Sequence, residues 1–251
     1  MCIGVTLDPR AAVIGFYGVK PGHQGRGIGI RVWREVMRFL GPDRNVGLYS
    51  SPAEVEMYQS RAGFQLKDSV QMILYESSGS TTINGIAPTG DDSLDIQVLP
   101  PTATPELMDQ VIAFDASVVG VDRASLIRAS LREPQTISFV AVDQRNRQVL
   151  GYGTMRTTNY TDGRTILAPL YASSFTVAKV LLYNLTINCP DSMDHGFFSF
   201  VLSSNQEAQR LVEAAGLKAN FGAPRLFTKS LVSGADEARV FSLLSPDVAL
   251  Y

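Results

Sequence analysis

The chain has 251 residues, of which 45% are hydrophobic and only 18% are charged, and its formal net charge is −2. This length allows one large or two small domains with hydrophobic cores. Because the net charge is close to zero, no long-range field draws the protein to nucleic acid or to an anionic membrane, and we expect neither as a partner. A small-molecule partner fits this composition better.

The N-terminal residues and the cysteines indicate an intracellular protein. No apolar run approaches the roughly 18 residues of a membrane span, and Met1-Cys-Ile-Gly-Val lacks the basic start of a signal peptide. Cys2 and Cys189 are too few and too far apart in sequence for a disulfide framework or a zinc site. We therefore expect a cytoplasmic protein without a bound metal.

A glycine-rich turn dominates the first forty residues. A hairpin is expected over residues 2–19, with a β-branched and aromatic second strand from Ala11 to Val19. The turn follows over Val19–Gly29, and an amphipathic helix then runs to Gly41-Pro42. The apolar residues that define this helix, with its tryptophan expected in the core, are Ile30, Trp33, Met37 and Leu40.

The glycines of the turn, Gly25, Gly27 and Gly29, are typical of an anion-binding loop. A helix that begins among glycines brings bare backbone N–H groups and the positive end of its dipole close to a bound anion. The spacing does not match a dinucleotide fingerprint, and no Lys-Ser or Lys-Thr follows as in a P-loop. The turn predicts a pyrophosphate site. The alternative is a tight connection that binds nothing, for which three glycines carry a high entropic cost.

The pattern Gln24-Gly-Arg-Gly27-Ile-Gly29, preceded by Val19-Lys-Pro21, resembles the acetyl-CoA loop of the GNAT (GCN5-related) N-acetyltransferases. The strand before the loop and the helix after it match the family in order. The resemblance implies acetyl-CoA as co-substrate, held by Val19, Gln24, Gly25, Arg26, Gly27, Ile28 and Gly29. Lys20, Arg26 and Arg31 can reach phosphate oxygens around such a loop, although charged residues at a helix start are often only solvated.

The next elements extend the resemblance to residue 76. A strand over residues 45–49, a helix from Ala53 to about Ala62 and an extended stretch from Phe64 to Glu76 match the family, but its first strand, helix pair and second strand are absent. Because this absence leaves an open sheet edge at residue 3, we expect the C-terminal half, or a second chain in a homodimer, to cover it. A shortened isoform or an expression fragment is an equally fair explanation.

The second half of the chain is expected to repeat the fold. Residues 77–94 are rich in Ser, Thr and Gly, which is typical of a flexible linker. Residues 95–251 predict the element order β-α-α-β-β-β-α-β-α-β-β, with the first helix from Pro105 to Val119. The chain therefore resembles tandem GNAT-like domains of the α/β (α+β) class, each a mixed, mostly antiparallel sheet flanked by helices. The turn over residues 171–178 contains no glycine, so we expect a degenerate copy with a structural or acceptor-side role. A ligand pocket of its own is the alternative.

The resemblance implies direct attack of a neutral amine on the thioester, with backbone N–H groups near Val19 stabilising the oxyanion. The usual acid of the family is a tyrosine on the helix after strand five, and Tyr58 is the matching candidate. Tyr58 lies five residues before Gly63, whereas four is common, so packing is an equally good interpretation. Tyr49 is a weaker substitute.

No general base is evident. Many members carry a glutamate on strand four, but residues 11–19 contain no acidic residue, and Glu54 and Glu56 are expected on a solvated helix face. A water chain or a residue from the second domain is left for this role. The histidines, His23 in the loop and His195 in a turn, fit solvent or structural roles better than catalysis.

Two classes of function therefore remain open. The first is an N-acyltransferase that moves an acetyl group from acetyl-CoA to the amine of a small molecule. The second is a non-catalytic CoA-binding or structural dimerisation protein, because the acceptor wall is missing and no base is visible. We favour the first, since the glycine-loop motif is intact.

Overall fold

The computed structural model describes residues 1–89, 95–158, 163–231 and 234–247. They fall into two compact units. The first contains the described residues of Met1–Met72, Gly222–Ser233 and Ser245–Tyr251, and the second contains those of Ile73–Phe221 and Gly234–Leu244. None of the helices in these ranges is both long enough and apolar enough to cross a membrane.

Strands and helices alternate along much of the chain. The strands are β1 (Ile3–Thr6), β2 (Ala11–Gly15), β3 (Asn45–Tyr49), β4 (Leu66–Glu76), β5 (Ile96–Leu99), β6 (Thr136–Asp143), β7 (Val149–Thr157), β8 (Thr165–Ala172), β9 (Phe197–Leu202), β10 (Lys218–Phe227) and β11 (Val240–Ser242). The helices are α1 (Ile28–Leu40), α2 (Val55–Arg61), α3 (Pro105–Val119), α4 (Ala124–Ser130), α5 (Phe175–Ile187), α6 (Pro190–His195) and α7 (Gln206–Ala214).

The sheet of the first unit has the strand order β1-β2-β3-β10-β4. Strands β2 and β3 are parallel, whereas β1 pairs antiparallel with β2, and β10 pairs antiparallel with β3. The C-terminal half therefore enters this sheet, but beside β3 and not at the open edge where we expected it. Among the described strands β1 pairs only with β2, so the predicted cover over β1 is not supplied by them.

The core of the first unit is built around α1. Its Trp33 side chain is buried, with ring centroids 5.2 Å from Tyr17, 5.7 Å from Tyr58 and 5.9 Å from Phe64. Aromatic pairs at these separations add to the stabilisation from burial alone. The helix ends where predicted, because Gly41 adopts a positive φ of 77° and its N–H donates to the Met37 carbonyl. Trp33 thus has the predicted core position.

The second unit contains a sheet of mostly antiparallel strands. Its order is β4-β9-β8-β7-β6-β5, with β11 paired to β8. Strands β8 and β9 are parallel, whereas the pairs β5–β6, β6–β7, β7–β8 and β8–β11 are antiparallel. Every residue of β8 is buried, and α5 packs against this sheet with seven buried residues. Helix α3 has the predicted bounds, Pro105–Val119, and the Thr104 side chain caps its start.

A fully buried polar network lies within the second unit. Arg123 donates to both carboxylate oxygens of Asp115, each at 2.9 Å, and to Tyr171 Oη at 2.9 Å. The Tyr152 hydroxyl donates to Asp115 Oδ1 at 2.5 Å. The network joins α3 to strands β7 and β8, and its charges are hydrogen-bonded as buried charges must be.

The structure differs from the prediction over residues 77–94. Residues 77–89 belong to the second unit, and Ile86 is fully buried in its core. Thr81 Oγ1 donates to the Ser192 carbonyl at 2.6 Å, and Thr82 N–H donates to the Ala215 carbonyl at 3.1 Å. A Ser/Thr-rich composition indicates a linker only when the segment is surrounded by water, and here Thr81, Thr82 and Ile86 hold the segment against the second unit. Residues 90–94 lie outside the described ranges.

Candidate functional site

The loop between β2 and α1 borders a cavity of about 510 Å³, which we call the loop cavity. Six of the seven predicted cofactor residues line it; these are Val19, Gln24, Gly25, Gly27, Ile28 and Gly29. Arg26 is not among the lining residues, and its side chain is exposed. The remaining lining residues come from the loop, from α1 and from the segment at α2, and are Tyr17, His23, Ile30, Glu54, Met57 and Tyr58.

The glycines of the loop have two different physical roles. Gly25 and Gly27 each have a φ of +72°, which L side chains rarely adopt, and a Cβ on either would meet nothing within 4 Å. Gly29 is needed for close packing, because a Cβ there would lie 2.6 Å from Tyr17 Oη. The first two glycines leave open space beside their backbone, and the third lets the helix start approach Tyr17.

The N-terminus of α1 is open. Gly27 is the N-cap residue, no side chain caps the helix, and the first turn contains no acidic residue. Because the first N–H groups of any helix lack an intrahelical acceptor, those of Ile28 and Gly29 are donors at a cavity wall. The Gln24 side chain stabilises the loop itself, because its Nε2 donates a hydrogen bond to the Val19 carbonyl at 3.0 Å.

The corresponding turn of the second unit, unlike that of the first, carries a side-chain cap. Ser174 is the N-cap of α5, and its hydroxyl accepts a hydrogen bond from Val177 N–H at 3.3 Å. Ser173 N–H donates to the Leu150 carbonyl at 2.8 Å. The cap takes up one of the N–H donors that this helix start could offer to an anion. The turn over residues 171–178 also contains no glycine that would leave its backbone bare.

Tyr58 takes part in packing and also lines the loop cavity. Its ring lies 5.7 Å from that of Trp33 and 6.0 Å from that of Phe64, and the residue is partly buried. Burial, together with a smaller contribution from the nearby Tyr17, Cys2 and Glu54, raises the pKa of Tyr58 to about 12. The phenol therefore keeps its proton at neutral pH, as a general acid must.

A second cavity, of about 270 Å³, lies at the ends of β2 and β3, and we call it the strand-end cavity. It shares Tyr17, Glu54 and Tyr58 with the loop cavity, and Tyr49 and Asp247 also line it. Strand β2 is shorter than predicted, since it ends at Gly15 and Phe16 has a φ of +51°. The strand-end cavity is therefore lined by residues at and just after the end of β2, Gly15, Phe16 and Tyr17.

The remaining candidates are dispersed. His23 lines the loop cavity, whereas Lys20 and Arg31 are exposed beside it and line neither cavity. His195 ends α6 in the second unit, where its ring would touch a Cβ placed on Gly163. Within the described ranges, no three His, Cys, Asp or Glu side chains are grouped so that they could hold a metal ion.

A family model for the acetyltransferase (GNAT) domain matches residues 111–242. The chain belongs to this family. The match covers more than half of the chain and confirms the predicted GNAT resemblance and the predicted mixed α/β fold. It lies mostly in the second unit, so the loop of residues 19–29 falls outside the matched range.

Two relatives of this GNAT chain are longer than it is. An uncharacterized Caenorhabditis elegans protein is 26% identical over 178 residues, which is 69% of this chain and 54% of that protein. Holothin acyltransferase from a Pseudoalteromonas species is 28% identical over 205 residues, which is 78% of this chain and 63% of that enzyme. The GNAT chain thus spans about half to two thirds of the length of these relatives.

The fold is also found in a solved structure. An acetyltransferase candidate from Pyrococcus horikoshii matches with a TM-score of 0.69 at 19% identity, over 96% of this chain and 73% of that one. At this identity the likeness shows the fold alone. The roles of individual residues in this GNAT protein therefore depend on the geometry of its own site.

Sequence reasoning missed two residues of the site. Tyr17 was read only as part of a strand, but it lines both cavities and contacts the start of α1. Asp247 was not considered, because 231 positions separate it from its partner Phe16. No local pattern could have identified Asp247, whereas the aromatic residue just before the glycine loop was visible.

Proposed function

We propose that this GNAT protein transfers an acetyl group from acetyl-CoA to the amine of a small molecule, by direct attack and without a covalent enzyme intermediate. The observation that carries the proposal is the loop cavity at the open N-terminus of α1. Two glycines with positive φ border it, and their missing side chains leave room for a pyrophosphate. A bound anion would meet backbone donors and the positive end of the helix dipole.

The charges beside the loop favour the same ligand. Lys20 and Arg26 are exposed on the loop. Long cationic side chains around an anion site strengthen binding of phosphate groups without fixing their position. They suit the phosphates of acetyl-CoA, while the glycine backbone sets the geometry.

The chemistry requires a donor for the oxyanion and an acid for the leaving thiolate. Gly18 N–H donates to the Met1 carbonyl at 2.8 Å, but Val19 N–H makes no hydrogen bond within the described residues. Val19 N–H is therefore a candidate donor to the thioester oxygen as negative charge develops. Tyr58, which lines both cavities, supplies the proton that the thiolate takes.

The relative named holothin acyltransferase supports acyl transfer as the reaction class. This chain covers 63% of that enzyme, so the acceptor of the longer protein is not carried over. A small amine is favoured because the strand-end cavity is only about 270 Å³ and adjoins the loop cavity through shared residues.

Replacing Tyr58 by phenylalanine is expected to lower kcat by about 100-fold, because the packing ring stays while the proton donor is lost. The dissociation constant for acetyl-CoA should change little. Steady-state kinetics combined with a binding titration separates these two effects. Tyr49→Phe is the matched control, since Tyr49 lines only the strand-end cavity. If Tyr49→Phe lost the activity and Tyr58→Phe kept it, the role of acid would pass to Tyr49.

The proposed function is tested by release of free CoA thiol from acetyl-CoA in the presence of a panel of small primary amines. Mass spectrometry of the same mixtures identifies the acetylated amine. We expect thiol release that depends on the amine and yields its N-acetyl product. Tight acetyl-CoA binding with no turnover on any amine would favour the non-catalytic CoA-binding alternative.

A further inference from the structure

The C-terminal residues place a carboxylate at the end of β2. Asp247 Oδ1 accepts a hydrogen bond from Phe16 N–H at 3.0 Å, and Asp247 N–H donates to Ser245 Oγ at 3.3 Å. Gly15 makes this approach possible, because a Cβ there would lie 2.2 Å from the Asp247 carbonyl oxygen. The backbone of β2 and the segment that carries Asp247 are therefore closely packed.

The surroundings of Asp247 suit a cation. The strand-end cavity is lined by the aromatic residues Phe16, Tyr17, Tyr49 and Tyr58, and by the carboxylates of Glu54 and Asp247. No Lys or Arg is among its lining residues in the described chain. An ammonium group is attracted both by carboxylates and by the faces of aromatic rings. All of these residues belong to the first unit.

We propose that the Asp247 carboxylate is the general base of the acyl transfer, and that it receives a proton from the ammonium group of a small primary amine in the strand-end cavity. This inference rests on the proposed function. One carboxylate oxygen is held by Phe16, whereas Oδ2 makes no hydrogen bond to any described residue. Strand β2 itself, Ala11–Gly15, contains no acidic side chain that could serve instead.

The proton and bond changes balance as follows. The ammonium form of the acceptor loses one proton to Asp247, which passes it to solvent. The neutral nitrogen attacks the thioester carbonyl carbon, a C–N bond forms, and the C–S bond breaks as the tetrahedral adduct collapses. The second nitrogen proton is lost as the amide forms, and the leaving thiolate is protonated through Tyr58. The products are the N-acetyl amine, free CoA thiol and one released proton.

The environment makes Asp247 a stronger base than an exposed aspartate. Burial raises the pKa of its carboxyl group, and the hydrogen bond from Phe16 only partly opposes this. The titratable groups that face the same cavity are Glu54 and the phenols of Tyr17, Tyr49 and Tyr58. Since the base acts in its ionised form, kcat should rise with pH as Asp247 loses its proton.

The test compares Asp247→Asn with the wild-type chain in the amine-dependent thiol release assay. The isosteric amide keeps an oxygen for Phe16 N–H, so the fold and the acetyl-CoA dissociation constant should be preserved. We expect kcat to fall by about 100-fold and the acidic limb of its pH profile to disappear. Asp247→Glu should restore part of the rate. Glu56→Gln is the matched control, because Glu56 lies two positions before Tyr58 on α2 but lines neither cavity.

A second variant leaves the carboxylate in the chain but moves it. Gly15→Ala should displace the segment from β2 and reproduce the kcat defect of Asp247→Asn. If the wild type turns over amines and Asp247→Asn keeps a kcat within about twofold, the inference is overturned and the proposed function stands. A rise in kcat overturns it as well, since the carboxylate would then be blocking the site. Failure of the wild type to release thiol with any amine would contradict both the inference about Asp247 and the proposed function.

Discussion

Substituting Gly27 by glutamate is expected to weaken acetyl-CoA binding by at least about 100-fold, a change of about 2.7 kcal/mol in binding free energy. Gly27 is the N-cap of α1 with a φ of +72°, and a side chain there would project into open space beside the loop cavity. A carboxylate in that space would repel the phosphates of the ligand and satisfy the helix N-terminus itself. Calorimetric titration with acetyl-CoA measures the effect.

The control for this prediction is Gly22→Glu. Gly22 has a similar φ of +81°, and a Cβ there also meets nothing within 4 Å, but Gly22 does not line the loop cavity. Both variants therefore carry the same added charge and comparable backbone strain, and they differ in position relative to the site. Equal affinities in the two variants would contradict the assignment of the loop as a phosphate site.

Asp115→Ala is expected to lower the free energy of unfolding by about 3–5 kcal/mol, because it leaves the buried Arg123 guanidinium without its carboxylate. The side chains of Asp115 and Arg123 are 1% and 5% exposed, and Arg123 makes a bidentate contact with the carboxylate. The substitution also removes the acceptor of the Tyr152 hydroxyl. Chemical denaturation followed by circular dichroism measures the loss.

Helix α3 supplies the matched control for this second prediction. Asp109 lies on the same helix and also pairs with an arginine, Arg128, but its side chain is 71% exposed. Exposed ion pairs contribute at most about 1 kcal/mol, so Asp109→Ala should have a small effect. Similar losses in the two variants would mean that burial of the Asp115 pair contributes nothing.

The parts of the fold that depend on neighbouring residues were predicted well from the sequence. Helix α1 has its predicted end at Gly41, and α3 has its predicted bounds, because caps, glycines and apolar spacing act within a few residues. The glycine-loop pattern is local in the same way, and six of its seven predicted cofactor residues line the loop cavity. Short helix α6 was not predicted, since six residues give too little periodicity.

The parts that depend on distant residues could not be predicted. Strand β10 was assigned to the second half, yet Arg225, Leu226 and Phe227 pair with β3 of the first unit. The buried Arg225–Asp68 ion pair, at 2.7 Å, belongs to the same unit and joins residues 157 positions apart. Strand pairing of this kind depends on tertiary packing, which composition and periodicity do not encode.

The most direct test of the central claim, that the loop of residues 19–29 holds the cofactor, is amide hydrogen exchange with and without acetyl-CoA. We expect slower exchange in peptides covering the loop and the first turn of α1, where backbone N–H groups would bond the ligand. Peptides covering residues 171–180, which contain the helix start capped by Ser174, should be unchanged. Protection of residues 171–180 without protection of the loop would contradict the claim.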